Sequence, residues 1–335
     1  MLNYSLQTGE LVEESNQQEE SFAPLGANPF PGLRPFSLDE SHLFFGREGQ
    51  VDEILLKLSQ HRSVTVMGYS GSGKSSLMNC GLVPVLYGGF MTQTGPNWQI
   101  VTTRPGNSPI SNLSDAIVNY LESSGRIKSQ DKPIQQAIIK SVLRSGPDGL
   151  VEVSKYLQRT DHENVFFLID QFEELLRYRE FSEDSNNESY QYVNLILNAV
   201  RQKDTPTYVS LNMRSDFIGE CSVFPGLTQM INESNYLVPQ MGRAQKRLAI
   251  EGPVAVGGGK ISTRLVKKLL SDIGDKNVEV AIVIYITEFG IHPFLGIHTY
   301  AFLRDILKMT FAGVAKYLIR AKIIRHIHVL PAIII

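Results

Sequence analysis

Eight consecutive residues constrain this chain more than any others: Gly68-Tyr-Ser-Gly-Ser-Gly-Lys-Ser75, a full match to G-x-x-x-x-G-K-[ST]. The pattern has meaning only between a strand and a helix, and both flanks are present. Ser63-Val-Thr-Val-Met67 is a short β-branched run of the kind that forms a buried strand. A helix is predicted from Lys74 to about Leu82, with Pro84 limiting its extension. In that setting the glycines let backbone N–H groups turn toward a phosphate, and the helix N-terminus adds its dipole. Lys74 would reach the β- and γ-phosphates, and the Ser75 hydroxyl would ligate magnesium. A Gly/Ser-rich surface turn can match the same pattern by chance; the strand before it and the helix after it favour the phosphate cradle. The expected ligand is ATP, ADP or a close relative with Mg2+, held by Gly68, Ser70, Gly71, Ser72, Gly73, Lys74, Ser75 and Ser76.

Further strands are expected at residues 98–103, 165–169 and 208–213. Between them apolar residues recur at helical spacing: Val51, Ile54, Leu55 and Leu58 before the first strand, and Ile110, Leu113, Ile117 and Leu121 behind Pro109. More helix is predicted over 132–143 and 150–157 and around Tyr192, Leu195, Ile196 and Ala199. Asp39 or Ser41 would cap a short turn ahead of these. Strands separated by helices predict an α/β fold, a mainly parallel sheet covered on both faces in three layers. There is no internal repeat.

Val165-Phe-Phe-Leu-Ile-Asp170 is an apolar strand that ends in a carboxylate. A buried strand has little reason to end so unless something cationic lies there, so Asp170 is the expected Walker-B residue holding magnesium. The competing role is a helix N-cap, with Glu173 completing the box. Glu173 and Glu174 are the candidates for a base that activates water; alternatively Glu173 pairs with Arg177 along a helix surface. Arg214 follows the fourth strand, where strand ends line the ligand crevice, and would sense the γ-phosphate or else pair with Asp216.

Composition excludes little beyond this. A net charge of −2 gives no bulk attraction to nucleic acid or anionic membrane, and none is expected as a partner. Two cysteines form no disulfide framework and fit a reducing, cytoplasmic setting. Residues 1–27 are acidic and poor in apolar side chains, which predicts a disordered tail with no secretory signal. The segment Asn28-Pro-Phe-Pro-Gly-Leu-Arg-Pro-Phe36 carries two Phe anchors expected to pack against the domain.

Taken in order, Pro31-Gly-Leu-Arg-Pro-Phe36, Phe44-Phe-Gly-Arg-Glu48, the phosphate loop, Arg104-Pro-Gly106, Asp170-Gln-Phe-Glu-Glu-Leu175, Arg214-Ser-Asp-Phe217 and Ala249-Ile-Glu-Gly-Pro253 resemble the STAND class of signalling ATPases. The likeness is to the novel STAND group often found N-terminal to WD repeats, and it covers about residues 28–275. A further strand, 98–103, between the two motifs resembles the additional-strand division of P-loop NTPases. The resemblance implies that Gly46 and Arg47 contact adenine and ribose and that Pro253 belongs to a helical region closing over the nucleotide. It also implies a switch: ADP holds a closed monomer, exchange for ATP permits nucleotide-dependent self-association, and slow hydrolysis resets it.

The expected organisation is an acidic tail at 1–27, a P-loop NTPase domain at 28–235, a partial helical closing domain at 236–276 and an atypical apolar tail at 277–335. After Lys276 the family's expected helix is absent. Residues 281–303 approach membrane-span length but contain Glu288, His292, Pro293 and His298, which are costly at membrane depth. His326 and His328 form too small a set for a metal site. A frameshifted or truncated remnant is the reading favoured for the tail. Two competing functions stand beside the switch. An ordinary ATP-driven enzyme would need an acceptor site or arginine finger, neither identifiable here; a truncated remnant would bind nucleotide without activity.

Overall fold

The computed structural model describes residues 29–32 and 34–273. The expectations for residues 1–27 and 277–335, including 281–303, His326 and His328, lie outside the described residues.

Among the described residues, five strands form one parallel sheet in the order β2-β3-β4-β1-β5. They are β1 (Ser63–Gly68), β2 (Asn97–Thr103), β3 (Glu163–Ile169), β4 (Thr207–Arg214) and β5 (Asn235–Leu237). The short β5 was not expected from its sequence, because three residues carry no periodicity. Within β3 the pleat sends successive side chains to opposite faces. Val165, Phe167 and Ile169 join one hydrophobic core with α4 (Pro109–Ser123), α6 (Gly149–Leu157), α8 (Glu183–Arg201) and α9 (Pro225–Ser234). Phe166 and Leu168 join a second core with α1 (Gln50–His61) and the helical run after the phosphate loop. Phe166 and Phe167 are both fully buried, so the near-continuous apolar run is what a doubly covered parallel strand requires. The three layers are therefore helices, sheet and helices, with α5 (Lys132–Arg144) packed on α4 and α6.

The topology corrects one expectation. The strand lying between β1 and the Asp170 strand is β4, whereas β2, which precedes β3 in sequence, sits at the sheet edge. Chain order does not give spatial order, because right-handed crossovers skip positions in the sheet. The helical run after the loop also passes Pro84 and ends at Tyr87. It comprises α2 (Lys74–Ser76), a π-helical turn (Leu77–Leu82) and α3 (Val83–Tyr87). Proline removes an i→i−4 bond and crowds the carbonyl four residues back; the wider π turn just before it relieves both demands.

Residues 35–37 are pinned onto this run: Ser76 Oγ accepts from Phe36 N at 3.2 Å, Asn79 Nδ2 donates to Phe36 O at 3.2 Å, and the Cys80 thiol donates to Ser37 O. The turn that follows (Leu38–Leu43) is capped by neither Asp39 nor Ser41. Ser37 precedes it, and Glu40 reaches back to accept from Ser37 N at 2.9 Å while pairing with Arg34 at 2.5 Å. Beyond the sheet, α10 (Arg243–Val256) and α11 (Thr263–Ile273) form a third, small core in which Ile250, Val254, Val266 and Leu269 surround Phe30.

Candidate functional site

The sheet's C-terminal edge carries a cavity of about 320 Å3. Its floor is the phosphate loop, where Gly71 and Gly73 adopt φ of 75° and 80°, values only glycine takes without strain. Gly73 is the N-cap of α2, so the first N–H groups of the helical run face the loop's concavity. Lys74 folds back over the loop, its Nζ donating to Gly68 O at 2.9 Å and Tyr69 O at 2.8 Å. Burial pushes its ammonium below the usual lysine range, while the carboxylates of Glu173 and Asp170 pull the other way.

The register of β1, β4 and β3 brings Asp170 beside the loop although 95 residues separate it from Ser75, whose Oγ donates to Asp170 Oδ1 at 2.8 Å. The same carboxylate accepts from Arg104 Nη2 at 3.1 Å through Oδ2 and from Asn212 Nδ2 at 3.4 Å through Oδ1. The N-cap role is thereby corrected: α7 (Glu173–Tyr178) follows Phe172, and Asp170 is spent on side chains instead of that helix. Between them Gln171 takes φ of 54°, a left-handed conformation uncommon for a non-glycine residue and typical of constrained sites. That turn lets Phe172 N donate to Asn212 O at 2.8 Å and brings Glu173 into the cavity.

The two glutamates part company here. Glu173 is buried, lines the cavity and accepts from Arg214 N at 3.3 Å; its surface partner Arg177 lies over the Phe217 ring instead. Glu174 points away from the cavity and accepts from Gly106 N at 3.0 Å. Arg214 lines the cavity, with its guanidinium held by Asp216 at 2.5 Å and resting over Phe217; that pair raises the Arg214 pKa and lowers the Asp216 carboxyl.

The other wall comes from the N-terminal segments. Phe30, Arg34, Phe36, Phe44 and Phe45 line it, Phe36 and Phe44 meeting edge to face at 6.0 Å. Arg47 is 2% exposed and fastens this wall to the loop, donating to Ser72 O at 2.8 Å and Pro239 O at 2.6 Å. Gly46 does not line the cavity; a Cβ there would lie 2.5 Å from Gln245 O, so α10 sits directly on it. Met241 and Ala249 line the cavity from above. Pro253 is buried in α10 but outside the lining, whereas its neighbour Gly252 rests on the Phe45 ring.

The donor set fits a phosphate with a hard divalent cation. Ser75 and Asp170 offer the oxygen ligands such an ion takes, and Asn212 Oδ1, on a cavity-lining residue, is a buried polar atom with no hydrogen-bond partner among the described residues. Gly68 and Ser72 lie outside the lining, the Ser72 hydroxyl close beside Gly68. Sequence reasoning missed Asn212 and Arg104. The signal for Asn212 was the one already used for Asp170, a polar residue near the end of an apolar buried strand. Arg104 stood out only as part of the Arg104-Pro-Gly106 motif, which did not point to Asp170, because that partner lies 66 residues away.

A parallel sheet with a phosphate loop after β1, an acidic residue at the end of β3 and β4 set between them defines a P-loop nucleoside triphosphatase. Within that class the chain belongs to the novel STAND NTPase 1 family, whose family model matches residues 29–287 and so runs past residue 275. No curated protein matches significantly. Among solved structures the chain is similar to the Walker-type ATPase PABY2304 of Pyrococcus abyssi, with a TM-score of 0.53 and 12% identity over 87% of this chain and 77% of that one. A chain of the E. coli MS115-1 HORMA:CdnC:Trip13 complex gives a TM-score of 0.48 and 13% identity over 83% and 93% respectively. The first likeness speaks for the fold alone.

Proposed function

We propose that this chain is a cytoplasmic ATP/ADP-switched signalling NTPase with slow, Mg2+-dependent hydrolysis, its nucleotide state governing self-association. The observation that carries the reading is one cavity shared by the phosphate loop, the Asp170 carboxylate and two residues beyond the sheet, Met241 and Ala249. A ligand there touches both parts, so its phosphate count can bias how α10 sits on Gly46 and Phe45. This supports treating residues 28–235 as the NTPase domain and 236–276 as the start of a closing helical domain.

In this reading Gly68, Ser70, Gly71, Ser72, Gly73, Lys74, Ser75 and Ser76 bind the phosphates. Ser75 and Asp170 hold Mg2+, which when bound neutralises charge on the transferring phosphoryl group. Glu173 is the favoured base, since it lies in the cavity with one oxygen oriented by the Arg214 amide. Arg214 lines the cavity while its Nε and Nη2 pair with Asp216, so it is the favoured sensor of a third phosphate.

The test is the nucleotide content of the purified chain, followed by single-turnover ATP hydrolysis with Mg2+. Stoichiometric retained ADP with slow turnover is the expected result. Rapid multiple turnover would point to an ordinary ATP-driven enzyme, and a chain that binds neither nucleotide would mean an inactive remnant; either overturns the proposal.

A further inference from the structure

The turn Arg104-Pro105-Gly106 contributes nothing to the cavity wall, yet Arg104 reaches the most consequential carboxylate of the site. Asp170 lines the cavity and its side chain is 9% exposed; the Arg104 side chain is 51% exposed and approaches from outside. The turn is held on several sides. Asp170 N donates to Thr103 O at 2.9 Å, so β2 and the carboxylate share a backbone bond. Asn112 Nδ2 donates to Pro105 O at 2.7 Å, and Glu174 accepts from Gly106 N at 3.0 Å. Arg104 is thus presented to Asp170 Oδ2 by a braced loop, while Oδ1 faces Ser75 and Asn212.

We infer that Arg104 is a positioning residue that serves as an internal counter-cation for Asp170, with Glu174 as the brace of its loop. It keeps the carboxylate turned toward Ser75 and weakens the pull of Asp170 on a free divalent cation. The metal is then taken up together with nucleotide phosphates and not ahead of them. The inference rests on the reading of Ser75 and Asp170 as the metal-holding pair. An ordinary half-exposed ion pair would add a little stability and no more. The electrostatic role differs because a fixed positive charge next to a cation's binding carboxylate opposes that cation directly.

The probe is Mn2+ alone, titrated onto the nucleotide-free full chain and followed by the paramagnetic resonance of free Mn2+. Arg104→Ala is expected to tighten Mn2+ binding by about three- to tenfold, an effect that shrinks as salt screens the exposed charge. Arg104→Lys keeps the charge and should stay near the wild type. Glu174→Ala removes the acceptor for Gly106 N–H and should move partway toward Arg104→Ala, although losing a negative charge would by itself weaken cation binding; a gain therefore reports release of the loop. Should Arg104→Ala fold poorly, Arg104→Gln gives the same reading with the side-chain length kept. Unchanged or weaker Mn2+ binding in Arg104→Ala and Arg104→Gln overturns the inference. Asp170→Asn separates the two levels: if it binds Mn2+ with ADP as well as the wild type does, the metal-site reading itself fails. If it loses that binding while Arg104→Ala gains nothing, only the counter-cation role fails.

Discussion

Gly252→Ala is a small perturbation with two opposed consequences whose magnitudes can be compared. Gly252 lies inside α10, where replacing glycine by alanine stabilises a helix by about 0.5–1 kcal/mol. Its missing Cβ, however, would stand 2.6 Å from Cδ2 and Cγ of Phe45 and 2.9 Å from Cδ1. Ordinary carbon contacts begin near 3.5 Å, so ring or helix must give way by close to an ångström. The ring cannot retreat freely, because the neighbouring Gly46 is itself backed by the Gln245 carbonyl of the same helix. Overpacking of this kind costs about 1–3 kcal/mol, which exceeds the propensity gain. The net expectation is destabilisation of about 1–2 kcal/mol. Phe45 lines the cavity, so nucleotide affinity should also fall by about tenfold, the equivalent of 1.4 kcal/mol. Thermal melting of the nucleotide-free protein and calorimetric titration with ADP and ATP measure the two effects. A variant that melts higher and binds nucleotide as before would refute the direct seating of α10 on Phe45.

Three further outcomes are expected. Lys74→Ala should lower ATP affinity by about 30-fold or more, in line with loss of a charge-assisted bond of about 2 kcal/mol. The fold should persist, since the hydrogen bonds of the half-buried ammonium go to carbonyls of its own loop; unaltered binding would sink the assignment. Asp170→Asn keeps the side chain's size and should abolish the Mg2+ dependence of ATP binding, whereas a full metal effect would rule out the metal role. Glu40, drawn down to about 2 from 4.5 chiefly by Arg34, is a group whose folded pKa is depressed. Its contribution is therefore complete above about pH 4.5 and lost as pH falls toward 2. Glu40→Gln should lower stability at pH 6 by about 0.5–1 kcal/mol, as expected of a partly exposed pair, and the gap from the wild type should close by pH 2 in acid-titrated melts. A gap that persists at pH 2 would mean the pair is not its source.

The sequence by itself determined the layered α/β architecture and the phosphate loop, because both depend on local information. Hydrophobic periodicity of two or 3.6 residues marks strands and helices, and a glycine pattern bridging a strand and a helix specifies its own backbone shape. Asp170 was legible for the same reason: a charge at the end of a buried strand is conspicuous within six residues. What depended on residues far apart in the chain was not legible. The sequence could not say that β4 and not β2 separates the two motifs, since strand order follows from crossovers and not from spacing. Nor could it sort Glu173 from Glu174, adjacent residues whose roles diverge because a helix turns one into the cavity and the other toward Gly106. Arg104, Asn212 and the seating of α10 on Gly46 and Phe45 became visible only once the sheet register and the close approach of two backbones were fixed. Tertiary structure decided these because each is a contact between elements, and a contact between elements has no period in the sequence.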